Sequence, residues 1–213
     1  IFYRLYDKDG DIVRDLWSYE VFEKDVVHIL GFDKDPNILY ISALHQGRYA
    51  VFKVSLNDKD LNRELVLADD TYDVDGSLIY SPKTGDVIGI HHGSGDDNKT
   101  YWDTEYAGLK AGLNEVMPDA NNTIVSMSHN LKRYVLFSSS SKEPGAYFLG
   151  DRNEGSLSFL AKKYSQIHKD NYATKKLVTY KARDGVVIEG YLTTPITNKK
   201  GNKLPAIILP DRK

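Results

Sequence analysis

Short apolar runs of strand length, separated by turn residues, dominate the amino-acid sequence. Residues 38–44 and 49–56 are rich in β-branched and aromatic side chains, and the four residues between them include Gly47. Two such runs joined by a short glycine-containing loop are typical of a β-hairpin. Further strands are predicted at residues 63–68, 77–81 and 86–92. This part of the chain is therefore predicted to be mainly β.

A second series of strands follows near the middle of the chain. Its strands are predicted at residues 123–128, 133–138, 146–150 and 156–160. Four strands in roughly 40 residues match the size of one blade of a β-propeller. The earlier series at 37–68 supplies three strands of a similar unit. Repetition of an antiparallel blade predicts a mainly β fold that is a partial β-propeller rather than a two-sheet sandwich.

One segment breaks the β pattern. From residue 105 to residue 117 the apolar side chains fall three or four positions apart, which places them on one face of a helix. These side chains are Tyr106, Leu109, Leu113 and Val116. Asp103 or Thr104 is suited to cap the first turn, and Pro118 to end the helix. We expect a helix inserted on the propeller surface, with contact to a substrate as the alternative role.

The C-terminal part changes character. Strands are predicted at residues 175–181 and 186–193, on either side of a tight turn at Arg183-Asp184-Gly185. After a polar loop at 197–203, residues 204–210 contain four consecutive apolar side chains. Such a run is typical of a strand that is buried on both faces in an α/β protein.

The predicted domain boundary lies near residues 167–174, where patterned strands give way to a polar stretch. Residues 1–170 are assigned to propeller blades, and residues 171–213 to a linker and the first strands of a second, α/β domain. Some 170 residues give about three blades, below the usual minimum of about four for a closed ring. We therefore expect an open array whose exposed strand edges pair with another copy of the chain.

Composition and charge narrow the possible functions. Hydrophobic residues make up 41% of the chain and charged residues 27%, as in an ordinary globular protein. A net charge of −2 gives no electrostatic basis for binding nucleic acid or an anionic membrane. The absence of cysteine excludes disulfides and a cysteine nucleophile, and it is compatible with both the cytoplasm and the periplasm.

Targeting and membrane signals are not found in the sequence. The longest apolar run, residues 206–209, is far too short to span a bilayer. No signal peptide is recognised, and the chain opens with Ile1 in the middle of a pattern rather than with methionine. We expect the natural N-terminus, and any targeting segment, to precede Ile1.

Several stretches resemble the prolyl oligopeptidase family when they are taken in order. The stretches near the C-terminus resemble the start of the hydrolase domain of this family and the strand that follows it. The earlier stretches resemble a helix that precedes the last propeller blades of bacterial members, and a Pro-Gly-x-Tyr strand in those blades. The stretches are YKARDG at 180–185, IEGYLTTP at 188–195, LPAIILP at 204–210, YWDTEYAGL at 101–109 with Met117-Pro118, and PGAYFL at 144–149. The likeness runs from about residue 38 to residue 210 and is nearest to the acylaminoacyl-peptidase and dipeptidyl-peptidase branch.

The resemblance implies a serine peptidase in which a propeller covers an α/β-hydrolase domain and no cofactor is used. The ring of blades admits short peptides to a buried nucleophile and excludes folded proteins. In the family this nucleophile lies in a Gly-x-Ser-x-Gly elbow, which the sequence does not contain. Relatives continue with His-Gly-Gly-Pro where this chain has Asp211-Arg212-Lys213 after Pro210.

No catalytic, cofactor-binding or metal-binding residue is therefore assigned, and the substrate-binding residues stay open. We expect peptidase activity, with peptides as the substrate, in a longer parent protein and none in this segment alone. The alternative is a non-catalytic propeller module that binds a protein or a small ligand.

Two motifs suggest metal binding but predict ordinary structure. His91 and His92 are adjacent on a strand and point to opposite faces, which makes them poor partners for one metal ion. Residues 7–11, Asp-Lys-Asp-Gly-Asp, resemble a calcium loop, but Ile12 and Ser18 stand where an EF-hand needs glycine and glutamate. An exposed turn is predicted there.

The remaining polar motifs are weak signals. Residues 138–141 are four serines that are predicted to form a flexible polar turn rather than a nucleophile site. Asn98-Lys99-Thr100 and Asn121-Asn122-Thr123 match the N-glycosylation pattern, which often occurs by chance. Glu105 and Glu115 on the predicted helix raise the possibility of a carboxylate pair that holds the free amino group of a peptide, as acidic propeller residues do in dipeptide-releasing relatives.

Overall fold

The computed structural model describes residues 1–20, 25–92, 99–140, 143–166, 172–173, 175–196 and 204–209. These residues form five antiparallel sheets and one α-helix, so the chain is mainly β, as its hydrophobic pattern predicts. The helix α1 spans Thr104–Val116. Sheet 1 contains β1 (Phe2–Tyr6) and β2 (Ile12–Ser18), and sheet 2 contains β3 (His28–Phe32), β4 (Ile38–His45), β5 (Arg48–Ser55) and β6 (Arg63–Leu67). Sheet 3 contains β7 (Gly76–Tyr80), β8 (Val87–His92) and β9 (Lys99–Tyr101); sheet 4 contains β10 (Asn121–Met127), β11 (Arg133–Ser140), β12 (Glu143–Asp151) and β13 (Ser156–Lys162); sheet 5 contains β14 (Lys175–Lys181) and β15 (Val187–Thr193).

Every sheet is a meander, in which strands that follow one another in the chain are hydrogen-bonded neighbours. The turn between β4 and β5 shows how the sequence encodes this arrangement. Gln46 and Gly47 have φ angles of 53° and 87°, and His45 pairs with Arg48 across them. Two consecutive positive φ angles are those of a type I′ turn, whose twist matches that of the two strands. The predicted hairpin is confirmed.

The predicted strands are all present except the last, and four strands were not predicted. Those four are β1, β2, β3 and β9. β3 adds a fourth strand to sheet 2, for which the sequence predicts three. β3 contains Gly31 at a φ of 152°, and β9 has only three residues, so neither shows a clear alternation of apolar and polar positions.

Sheets 1 to 3 are stacked face to face in chain order. Trp17 of sheet 1 packs against the cluster that contains Ile41 of sheet 2. The opposite face of sheet 2 presents Tyr40 to a cluster that contains Ile90 of sheet 3. Tyr40 is 5% exposed and Ile41 is not exposed, so β4 is buried on both faces. Sheet 2 is therefore the middle layer of this part of the stack.

The helix α1 connects sheet 3 to sheet 4. Asp103 is its N-cap, and the carboxylate accepts hydrogen bonds from the backbone amides of Glu105 and Tyr106 at 2.9 and 3.0 Å. Tyr106 shares a cluster with β8, and Leu113 shares one with β10 and β11. Val116, the last apolar side chain of the predicted helical face, lies beyond the buried stripe and is 72% exposed. This helix, with 13 residues, is neither long nor apolar enough to cross a membrane.

Sheet 5 is a hairpin with both faces exposed. β14 and β15 pair without irregularity on either side of the predicted turn at residues 183–185. The prediction of a strand buried on both faces at 204–210 is wrong for residues 204–209, which form no strand, and Ile207 is 87% exposed. The reason is that no described strand pairs with this segment. Pro210, the loop at 197–203 and most of the predicted boundary at 167–174 lie outside the described residues.

Candidate functional site

A cleft of about 530 Å³ lies where α1 ends, between one end of sheet 4 and sheet 5. The pairing of β10 with β11 brings Asn121 opposite Ser139 at this end of the sheet. Its wall combines amides, hydroxyls and charged groups with apolar atoms in a similar proportion. The helix end and the following turn contribute Asn114, Pro118, Asp119 and Ala120, sheet 4 contributes Asn121, Asn122, Ser139 and Ser140, and sheet 5 contributes Lys175 and Tyr191.

Asn122 holds the wall of the cleft together. Its side chain is 1% exposed, and Nδ2 donates to the backbone oxygen of Met117 at 2.9 Å and to that of Leu113 at 3.3 Å. Its Oδ1 accepts a hydrogen bond from Ser138 Oγ at 2.8 Å. Both carbonyl groups also accept a backbone hydrogen bond, from Met117 N and from Ala120 N, so this amide adds a side-chain donor at the C-terminal end of α1 and fastens that end to sheet 4.

Sheet 5 forms the other side of the cleft. Lys175 Nζ lies 3.6 Å from the centroid of the Tyr191 ring. The strand register pairs Leu177 with Tyr191, so Lys175 and Tyr191 project from the same face of the hairpin. An ammonium group over an aromatic face at an exposed site is stabilised by about 0.5–1 kcal/mol. This contact fixes the rim of the cleft without closing it.

The charges around the cleft favour polar ligands. Asp119 and Lys175 are its charged lining residues, and the last turn of α1 has no basic side chain. The helix dipole places partial negative charge at this end. The lining residues include neither histidine nor a hydroxyl paired with a base, which acyl transfer by a serine would require. The amide, hydroxyl and charged groups of the lining can form hydrogen bonds with a ligand.

A half-buried lysine lies behind the cleft. Lys99 Nζ donates to the backbone oxygen of Ile124 in β10 at 2.8 Å. Burial and the nearby ammonium group of Lys110 lower the pKa of Lys99. Lys110 Nζ donates in turn to the backbone oxygen of Lys99. Both lysines therefore help to join β9, α1 and β10, and we assign them a structural role.

The histidines and the acidic loop take the ordinary structures that the sequence predicts. His91 is exposed, whereas Nε2 of His92 lies 2.9 Å from Thr100 Oγ1, so the two rings have different surroundings. Asp7 Oδ1 accepts hydrogen bonds from the backbone amides of Asp9 and Asp11, both at 2.9 Å, in an exposed turn between β1 and β2. Within the described part of the chain, no three His, Asp or Glu side chains are placed to hold a metal ion.

The prediction for the serine run is wrong in its described part. Ser138 to Ser140 end strand β11, and Ser138 is buried against Asn122; Ser141 lies outside the described residues. Their pairing with β10 and β12 imposes a strand where composition alone suggests a flexible turn. Asn121 lies inside β10, and its Oδ1 is buried. Asn98 lies outside the described residues.

The hypothesis of a paired amine site on the helix is wrong. Glu105 Oε1 accepts a hydrogen bond from Arg152 Nη1 at 2.5 Å, in the turn that follows β12. Glu115 is exposed near the other end of α1. Ten helical residues correspond to a rise of about 15 Å, too far for both carboxylates to bind one ammonium group. Glu105 instead ties the first turn of the helix to sheet 4.

Comparison with known proteins adds no relative to these observations. No family model matches the chain, and a comparison with curated proteins finds no match. The sequence did not single out Lys175 or Tyr191 and interpreted Ser139 only as part of a serine turn, because only folding brings these distant residues together.

Proposed function

We propose that this chain is the propeller portion of a serine peptidase that cleaves short peptides, with an α/β-hydrolase domain following sheet 5. The resemblance of the segments at 101–118, 144–149 and 180–210 to the prolyl oligopeptidase family supports this proposal, as does their order in the chain. In such an enzyme the blades would act as a sieve that limits access to a buried nucleophile.

The stack of meander sheets supports the propeller part of the proposal. Blades of a propeller are antiparallel meanders of about four strands, and successive blades pack face to face around an axis. Sheets 2 and 4 have four strands each, sheets 1 to 3 stack in chain order, and α1 joins sheet 3 to sheet 4. We interpret them as part of such a ring.

The exposed apolar surface of sheet 5 is the observation that carries the hydrolase part. One face of this hairpin presents Val178, Tyr180, Ile188 and Leu192 around Gly190, with the single charge of Lys176 at its end. Tyr180 and Leu192 are 58% and 52% exposed, and the apolar segment at 204–209 follows. A contiguous exposed apolar patch marks an interaction surface. Covering these side chains would remove their remaining apolar surface from water, which stabilises by about 25 cal/mol per Å², and a hydrolase domain is the proposed cover.

Labelling of an active serine tests the proposal. A fluorophosphonate probe should label the product of the complete reading frame at a serine in a Gly-x-Ser-x-Gly elbow after residue 209. The 213-residue chain should not be labelled, because it lacks that motif. The labelled protein should cleave short acylated or unmodified peptides and spare folded proteins. Absence of a reactive serine from the complete product would refute the proposed peptidase.

A non-catalytic binding module is the second candidate, and the polar cleft favours it. The cleft offers amides, hydroxyls and an aromatic ring but no base next to a nucleophile. Isothermal titration with short peptides distinguishes the two candidates when it is combined with the labelling test. Binding that Asn114→Ala and Tyr191→Ala weaken, in a complete product that contains no reactive serine, would support the module.

A further inference from the structure

The two charged side chains that line the cleft have opposite signs and come from opposite walls. Asp119 follows the C-terminal end of α1, and Lys175 is the first residue of β14 in sheet 5. Both side chains are exposed, and the described lining residues include no other charged group. The cleft is therefore negative on the helix side and positive on the side of sheet 5.

The backbone of the helix reinforces the negative wall. The dipole of α1 places partial negative charge at this end, and the last turn has no basic side chain. Within the described part of the chain, no donor or cation pairs with the Asp119 carboxylate. An ammonium group of a ligand would therefore meet a carboxylate for which no other cation competes.

Lys175 supplies the positive wall. Its Nζ lies 3.6 Å from the centroid of the Tyr191 ring, and this contact holds the ammonium group at the rim of the cleft. An ammonium group has three N–H donors, so it can bind a carboxylate while it contacts the ring. A ligand with a carboxylate at this end would match the wall.

The rest of the lining is uncharged. Asn114, Asn121, Ser139 and Ser140 contribute amides and hydroxyls, which both donate and accept hydrogen bonds. Each residue of a peptide backbone likewise offers one N–H donor and one C=O acceptor. Pro118 adds apolar surface that a small side chain can contact. The lining therefore matches a peptide backbone between two opposite charges.

The size of the cleft limits the length of such a ligand. Its volume of about 530 Å³ lies within the usual range of about 300–1,000 Å³ for ligand sites. A sphere of that volume is about 10 Å across, and two or three extended residues span about 7–11 Å. The charged ends of a dipeptide or a tripeptide can therefore reach opposite walls.

We propose that the cleft binds a free dipeptide or tripeptide as a zwitterion, with the amino terminus at Asp119 and the carboxyl terminus at Lys175. A ligand with a single charge would leave one of the two walls unmatched. The inference rests on the cleft being the ligand site of the second candidate function, and it adds the class of ligand. It does not depend on a reactive serine.

Isothermal titration of the 213-residue chain with trialanine tests the inference. The free peptide should bind saturably. Acetylation of its amino terminus and amidation of its carboxyl terminus should each weaken binding by about tenfold, because each removes a hydrogen bond between charged groups. Free alanine should bind more weakly than trialanine, since it is too short to reach both walls. Equal binding of the free, acetylated and amidated peptides would overturn the inference and leave a binding module in place.

Substitutions at the two charges test which wall binds which end. Asp119→Asn should abolish the preference for the free over the acetylated peptide and retain the preference for the free over the amidated one. Lys175→Gln should have the reverse effect. Glu115→Gln is the matched control, because Glu115 is exposed in the last turn of α1 but does not line the cleft. That variant should keep both preferences.

A conservative variant and a check of folding complete the test. Lys175→Arg keeps the positive charge and should keep the preference for a free carboxyl terminus. Circular dichroism and the thermal midpoint show whether each variant is folded. Folded Asp119→Asn and Lys175→Gln proteins that keep both preferences would overturn the inference.

The possible failures can be told apart. Absence of trialanine binding to the folded 213-residue chain would overturn this inference together with the role of the cleft in the second candidate function. It would not change the outcome of serine labelling, which tests the peptidase separately.

Discussion

The β4–β5 hairpin of sheet 2 and the β14–β15 hairpin of sheet 5 have similar strands of eight and seven residues. Both alternate aromatic and β-branched residues and turn at a glycine. In β4, Ile41 is not exposed and Tyr40 is 5% exposed, whereas Ile188 and Tyr180 of sheet 5 are 36% and 58% exposed. Local sequence therefore does not decide whether a hairpin becomes a core.

The difference comes from what lies on each face. Sheet 1 covers one side of sheet 2 and sheet 3 covers the other, so the apolar side chains of β4 and β5 lose their contact with water. No described sheet covers sheet 5. In the proposed enzyme the corresponding stabilisation of sheet 5 would come only from the hydrolase domain.

Equivalent truncations in the two hairpins should give the largest difference. Ile41→Ala should lower the free energy of unfolding by about 2–5 kcal/mol, because it removes buried methyl groups and leaves a cavity. Ile188→Ala should change it by less than about 1 kcal/mol, since that side chain still contacts water. Urea unfolding of the 213-residue chain measures both values. Equal losses would show that sheet 5 is buried in solution.

Removal of the helix cap should have the next largest effect. Asn122→Ala leaves Met117 O and Leu113 O without their side-chain donor and Ser138 Oγ without its acceptor. We expect a loss of about 2 kcal/mol, because the buried hydroxyl of Ser138 loses its acceptor while both carbonyl groups keep a backbone donor, and a buried polar group without a partner costs about 1–3 kcal/mol. Glu115→Ala, at an exposed position in the same turn of the helix, is the control and should change the free energy of unfolding by about 0.5 kcal/mol or less, as is usual for surface changes. Equal effects of the two changes would refute the capping role.

Two strand glycines extend the comparison to sheet 4. A Cβ added at Gly150 would lie 2.0 Å from a ring carbon of Tyr134, whereas a Cβ at Gly190 of sheet 5 meets nothing within 4 Å. Gly150→Ala should destabilise by about 2 kcal/mol through overpacking. Gly190→Ala should be neutral or stabilise by up to about 1 kcal/mol, since it restricts the unfolded chain. Urea midpoints of the two variants decide the outcome, and a tolerated Gly150→Ala would contradict the described packing.

The smallest effect is expected at high pH. Burial, and then the negative charge of Asp33, raise the pKa of Tyr40 to about 12. The Tyr40 hydroxyl ionises near pH 10 in the unfolded chain and near pH 12 in the folded one. The neutral hydroxyl therefore contributes its full stabilisation of the folded state below pH 10, and this stabilisation is lost as the pH rises to 12. We expect the free energy of unfolding to fall by about 1–2 kcal/mol over this pH range through Tyr40, after allowing for partial solvation of the hydroxyl. In the Tyr40→Phe variant, urea unfolding at pH 10 and pH 12 should show a smaller fall in stability than in the unsubstituted chain. An equal fall in both proteins would contradict the assignment to Tyr40.

Particular elements show what could be predicted. The glycine turns and apolar alternation of β4, β5, β11 and β14 are local signals, and each of these strands was predicted. β3 and β9 were missed, because their pairing with β4 and β8 defines them as strands more than their own residues do. The apolar segment at 206–209 has a strand pattern but no partner among the described strands, so the same rule predicted a strand that is not there.

The cleft could not be predicted in the same way. Its side chains come from α1, β10, β11 and sheet 5, which are far apart in the chain. Asn122 matched only a glycosylation pattern, and nothing in its neighbours indicated that its amide would cap α1. A serine run predicted to be a turn became a strand, because β10 and β12 flank it.

The amino-acid sequence by itself determined the mainly β content, the positions of most turns and the N-terminal cap of the helix. These depend on φ preferences and side-chain hydrogen bonds within a few residues. Only the tertiary structure decided which faces of the sheets are covered, that Asn122 caps α1 and that Lys175 and Tyr191 border a cleft. Burial depends on the opposite surface, and residues far away in the chain supply that surface.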